Sequence, residues 1–215
     1  MRHALIVLLA SLALSGGASA QGFKFSNEDN ADQVQEAERQ ARVQALLAGP
    51  CRARIKNQKI MVLIGESHNG YVRAAQSSYS GHFDALNARL QSLGLKTVTQ
   101  AQIKAQVAQA EIDAYFKNDP DAALSASKRL SAQYILRGLI TTDTAYNTMV
   151  RVNQVTIRMA FTLTGANGRT LSQTTAENAS YSGMDTGGMA LTLINEKADE
   201  VVAQLYSDYC RNAGS

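Results

Sequence analysis

Ile60-Met61-Val62-Leu63-Ile64 is an unbroken apolar run bounded by Lys59 and Gly65. A strand that alternates apolar with polar residues can leave one face wet, but five consecutive apolar residues need cover on both faces, so the run predicts a central strand packed from two sides. The segments after it supply neighbours. Phe83, Leu86, Leu90 and Leu93 recur at three- and four-residue steps, which predicts a helix with one buried face, and Gly94 is placed to end it. Lys96-Thr97-Val98 then reads as a second strand. Strand, helix and strand in that order make a crossover unit, whose two strands are parallel neighbours. Residues 65–81 lack periodicity and are rich in Ser, Gly, Asn and Tyr, so they predict a long loop at the carboxyl end of the first strand.

The rest of the chain extends this sheet. Residues 31–47 hold strong helix formers, with Val34, Ala37 and Ala41 on one stripe, and Gly49-Pro50 stops them. Arg52, Arg54, Lys56 and Lys59 read as a solvated lead-in to the first strand. Residues 101–116 predict one helix with Ile103, Val107, Ala110 and Ala114 inward, and Asp119-Pro120 opens another that runs to about Leu130. Residues 134–140 form a strand. Val155, Ile157, Met159, Phe161 and Leu163 alternate with polar residues in the period of a strand that is wet on one face, Gly165-Ala166-Asn167-Gly168 turns the chain, and residues 169–181 return antiparallel. A last helix carries Leu191, Ile194, Ala198, Val201 and Leu205 on one stripe. The fold class expected is α/β (α+β), a mixed sheet of about five strands packed by helices in the order β-α-β-α-α-β-β-β-α, behind an N-terminal helix.

Residues 1–20 have the form of an export signal. Arg2 and His3 precede an apolar stretch that ends in Ala18-Ser19-Ala20, so cleavage after Ala20 would start the mature chain at Gln21. That stretch is too short to span a bilayer, and no later one approaches the roughly 20 apolar residues a spanning helix needs. The expected organisation is a signal in residues 1–20, a helical lead-in over 21–50, and one domain over 51–211. An exported chain meets an oxidising compartment, here the periplasm, where its two cysteines, Cys51 and Cys210, are expected to pair. The formal charge of +3 spread over 215 residues offers no basic footprint for nucleic acid.

Several chemistries can be weighed from the residues. Gly65-Glu66-Ser67-His68-Asn69-Gly70 follows a strand as a Gly-x-Ser-x-Gly nucleophile elbow does, but Asn69 stands where the second glycine belongs. A hydrolase using Ser67 with His82 is the enzymatic alternative, and a small-ligand carrier is another. Glu66, His68 and His82 lack the spacing of a metal site, and neither cysteine has a Cys-x-x-Cys partner, so no metal or cofactor is expected. Gly183, Gly187 and Gly188 before the last helix read as a turn capped by Asp185 or Thr186 rather than an anion cradle. Tyr71 and Tyr79, set among Ser and Gly, suit an adaptable contact surface, whereas Tyr206 and Tyr209 suit packing.

Taken together, Ile60 to Gly65, Phe83-Asp84-Ala85-Leu86, Leu93-Gly94-Leu95-Lys96-Thr97-Val98, the strand Ala132-Gln133-Tyr134-Ile135-Leu136-Arg137-Gly138-Leu139-Ile140, and the turn Thr164-Gly165-Ala166-Asn167-Gly168 form a pattern. It resembles the periplasmic domain of CsgG-like lipoproteins and the TolB amino-terminal domain. The resemblance implies a non-enzymatic part of the Gram-negative envelope that works by protein contact and often by oligomerising. Two departures stand out: no cysteine marks the signal boundary for a lipid anchor, and residues 67–80 are too few and too polar for a membrane-crossing hairpin, so a pore is not expected. The expected partner is an envelope protein or a further copy of this chain. The contact residues expected are Ser67, His68, Tyr71, Arg73 and Tyr79, with residues 183–188 as a second contact loop.

Overall fold

The computed structural model describes residues 26–68, 70–149, 151–180 and 185–212, so the export signal and Gly183 lie outside the described residues. The chain divides into a first unit, Met1–Glu36, described only where helix α1 (Ser26–Leu47) begins, and a second, Ala37–Ser215, which holds the sheet. In the second unit a one-turn helix α2 (Arg52–Ile55) leads to strand β1 (Lys59–His68). After it come β2 (Tyr71–Arg73), a 3₁₀ turn (Gln76–Tyr79), helix α3 (Ser80–Ser92) and β3 (Lys96–Thr97). Three helices follow, α4 (Gln100–Gln106), α5 (Gln109–Phe116) and α6 (Pro120–Leu130). The chain then builds a meander of β4 (Tyr134–Asn147), β5 (Val152–Gly165) and β6 (Thr170–Ser180), and α7 (Thr186–Asn212) closes it.

The fold is the mixed, helix-packed sheet that the patterns predict, with six strands among the described residues. β1 is central: it pairs in parallel with β4 on one side, and on the other with β3 in parallel and β2 antiparallel. Ile60 through Ile64 are at most 1% exposed, which is the two-sided burial that their composition demands. Each such side chain contributes about 1.5–3 kcal/mol relative to exposure. Helices α3 and α7 cover one face. Helix α5 lies on the other, where the Phe116 ring packs on Gly65 so closely that a Cβ there would sit 2.7 Å from it. At the end of α3, Gly94 takes a φ of +95° while the Leu95 amide donates to the Leu90 carbonyl and the Gly94 amide to that of Gln91, a closing motif open to glycine. Asp119 caps α6 through the amides of Asp121 and Ala122, with Pro120 in the first turn.

Three local expectations are corrected and one is refined. Residues 65–81 are not a loop: β1 runs on to His68, β2 folds back on it with His68 opposite Tyr71, and the 3₁₀ turn follows. The helix expected over 101–116 is two, because Val107 is extended and the Glu111 carboxylate accepts from the Ala108 amide to start a second. The lead-in is solvated as expected, with Arg52, Arg54 and Lys56 exposed, but it takes helical form over Arg52–Ile55, since Ile55 is buried and fixes that turn against the core. Strands β4 and β5 are each 14 residues long and run well past the expected 140 and 155. Cys51 and Cys210 are bonded, with Cα atoms 5.6 Å apart.

Candidate functional site

Because β1 and β4 are parallel, with Ser67 opposite Thr141, their carboxyl ends point the same way. Both end in hairpins. The β1–β2 hairpin carries Tyr71, 81% exposed, and the longer β4–β5 hairpin carries Tyr146, Met149 and Val152, of which Met149 is 91% exposed. Large apolar side chains left in water on a hairpin contribute nothing to the core and suit a surface that a partner covers. Tyr offers broad contact area for little conformational entropy, and Met adapts its shape to what it meets. The Asn147 Oδ1 accepts from the Met149 amide at 3.0 Å and holds the second tip.

Beside the first hairpin lies an open cleft of about 710 Å³. Glu66 and Arg73 line it from the hairpin, Tyr79 from the 3₁₀ turn, His82 from the start of α3, Asp113 from α5, and Gly187 and Gly188 from the first turn of α7. The two regions expected to make contacts, residues 67–81 and 183–188, therefore meet along one cleft in their described parts. Gly187 and Gly188 belong to the helix, and the Gly188 amide donates to the Asp185 carboxylate at 2.8 Å, so Asp185 is the cap.

The five expected contact residues separate. Tyr71, His68 and Arg73 are exposed and Ser67 is half-buried. Tyr79 is buried, and its hydroxyl donates to the Arg73 carbonyl at 3.3 Å, so it shapes the hairpin base from within. Burial, followed by the charge of Glu66, pushes its hydroxyl up to about 12. The Ser67–His82 dyad does not form. Alternation along β1 puts Ser67 on the face of Gly65, against which Phe116 packs, while the neighbouring Glu66 lines the cleft together with His82; a nucleophile and its base must be within hydrogen-bond reach. Among the described residues no group of acids, histidines and cysteines gathers as metal ligands. The apolar space between β1, α3 and α7 amounts to about 30 Å³, against the roughly 300–1,000 Å³ of pockets that enclose small ligands.

His82 is 5% exposed, its Nε2 has no hydrogen-bond partner among the described residues, and its ring meets Tyr79 edge-on at 5.9 Å. Burial lowers its proton affinity below the ordinary histidine value. The unfolded chain thus takes up a proton before the folded one does, and stability present at neutral pH is lost as pH falls below about 6.5, by at most about 1.4 kcal/mol per pH unit. Urea unfolding at pH 7.5 and 5.0 is expected to show a larger loss for the unaltered chain than for His82→Leu; equal losses would contradict this.

The tips of the β4–β5 hairpin escape a reading that ends β4 at Ile140. The signal is present in Thr141-Thr142-Asp143-Thr144-Ala145-Tyr146, where β-branched residues persist without a breaker.

No family model matches the chain, and no curated protein matches it. Solved structures similar to it include the hypothetical protein CT253 from Chlamydia trachomatis, at 12% identity and TM-score 0.46, covering 69% of this chain and 98% of that one. A PelC dodecamer from Paraburkholderia phytofirmans is similar at 16% identity and TM-score 0.41, over 69% and 88%. The LpoB C-terminal domain from Salmonella enterica is similar at 16% identity and TM-score 0.40, over 66% and 95%. Likeness at these TM-scores extends none of those proteins' properties to this chain.

Proposed function

We propose that the chain is exported after cleavage behind Ala20 and acts in the Gram-negative periplasm as a non-enzymatic accessory protein of the CsgG- and TolB-like kind, holding an envelope protein partner at the hairpin end of its sheet. The observation that carries this reading is the placement of Tyr71, Tyr146, Met149 and Val152, all exposed, on two hairpins at one end of a rigid platform. The export-signal pattern and the Cys51–Cys210 bond support the compartment. No helix among the described residues is long and apolar enough to cross a membrane.

Deleting residues 71–79 would not test this, because Ala74, Gln76 and Tyr79 are buried and the fold would go with them. Substitution at the tips does. A photo-crosslinker placed at Tyr71 or at Met149 is expected to capture one partner from envelope extracts, whereas the same group at the exposed Asp84 on α3 captures none. An adduct at twice the chain mass would make that partner a second copy. With the crosslinker moved to the exposed Tyr146, Tyr71→Ser with Met149→Ser is expected to weaken capture about tenfold or more, as loss of interface anchors does, at an unchanged melting temperature. Equal capture by the double variant would remove the hairpins from the reading.

A further inference from the structure

On the other face of the sheet Arg137 stands alone. Arg89, Arg129 and Arg158 each hold a carboxylate, on Asp199, Glu111 and Glu177 respectively. Arg137 is half-buried and has no acidic partner among the described residues. Its guanidinium carbon lies 5.1 Å from the centre of the Phe116 ring and 5.6 Å from that of Tyr115, so two aromatic rings pack beside it. One Nη2 bond to the Phe116 carbonyl, at 3.3 Å, is its hydrogen bond, and the Nε is buried without a partner. With a donor left unsatisfied and its charge unpaired, the guanidinium gains from an anion that completes it.

The surroundings supply hydrogen-bonding groups and no competing charge. Arg137 faces a hollow of about 270 Å³ in which Thr162, Thr164 and Gln173 rise from β5 and β6 and Asn118 from the α5–α6 turn. The register places Arg137, Thr162 and Gln173 in one row across β4, β5 and β6. Asp119, next to Asn118 on the α5–α6 turn, is engaged in capping α6. We infer that this hollow is a carboxylate-binding site, in which Arg137 pairs with one carboxylate and the Thr162 hydroxyl and Gln173 amide complete its hydrogen bonds. One cation matches a singly charged group, and the guanidinium fork matches two oxygens. The hollow is smaller than a typical ligand pocket, so it takes a short acid or a single acidic side chain.

The test is a nuclear magnetic resonance titration of the full chain with three probes: acetate, a blocked Gly-Glu-Gly peptide, and blocked Gly-Gln-Gly as the neutral control. Saturable shifts centred on Arg137 and Thr162 are expected with acetate or the Glu peptide and not with the Gln peptide. Saturation by acetate assigns the site to free acids; saturation by the Glu peptide alone assigns it to an acidic side chain of a protein. Arg137→Gln is expected to weaken binding about tenfold or more, and Thr162→Val, which leaves the cation in place, to weaken it less. Absence of saturable binding by both carboxylate probes, equal binding of the Gln peptide, or undiminished binding to a folded Arg137→Gln chain overturns the proposal. Should Arg137→Gln not fold, the contrast between Glu and Gln peptides on the unaltered chain still decides it.

Discussion

Cys51→Ala with Cys210→Ala lowers the unfolding free energy by about 5 kcal/mol, in the chain-entropy account of a crosslink that closes a loop this long. The two cysteines are 159 positions apart, so the bond spans nearly the whole sheet-bearing unit. Little of the loss is expected to come from the folded side. Cys51 precedes α2 and is fully buried, and the end of α7 stays held where the Tyr206 hydroxyl donates to the Gly49 carbonyl. Tyr134 and Tyr209 also bond through their hydroxyls at 2.9 Å, tying α7 to β4. What changes is the freedom of the unfolded chain. Urea unfolding of the oxidised, the reduced and the double-alanine proteins checks this. Reduced and double-alanine forms are expected to coincide, both well below the oxidised form, and a separation under about 1 kcal/mol would show that the crosslink constrains little.

The central strand, the crossover, the meander and the last helix were legible because each rests on a strong local rule. Continuous burial marks Ile60 to Ile64, period two marks Val155 to Leu163, and Gly94 and Asp119-Pro120 mark helix ends by conformations that few residues replace. The first hairpin was legible too, in a signal easily passed over. Asn69-Gly70 between His68 and Tyr71 is the pair that a two-residue turn favours, and it overlaps the elbow-like spacing that begins at Gly65. Gly65 answers to packing, since Phe116 occupies the space of its missing side chain. Contacts of that kind join residues 51 positions apart and leave no local trace. The same holds for the candidate site: Tyr71 and Met149 share an end only because β1 and β4 are parallel, and Arg137 lacks an acidic partner across the strand because the register sets Thr162 beside it, whereas Arg158 has Glu177 opposite.

Gln76→Leu is expected to lower the unfolding free energy by about 3 kcal/mol and the melting temperature by roughly 6–12 °C. The reason is a gap in the sheet. Along the outer edge of β1, β3 pairs with Lys59 and Ile60 and β2 with Glu66, Ser67 and His68, which leaves Ile64 facing no strand. The side chain of Gln76 fills that place: its Oε1 accepts from the Ile64 amide at 3.0 Å, and its Nε2 donates to the Ile64 carbonyl at 2.8 Å and to that of Ala74 at 2.6 Å. With Gln76 only 3% exposed, water has poor access to replace it, and leucine would strand two polar groups of the central strand. Gln76→Glu tests the direction of the bonds, because a carboxylate keeps the acceptor for the Ile64 amide yet sets its second oxygen against two carbonyls; it should be no more stable than the leucine variant at neutral pH. Hydrogen exchange at the Ile64 amide should rise in both. An unchanged melting temperature and a still-protected Ile64 amide would mean that this side chain does not stand in for a strand. If the losses appear, the amide is also what anchors the base of the Tyr71 hairpin, and the Gln76 variants should weaken partner capture without any change at the exposed tip.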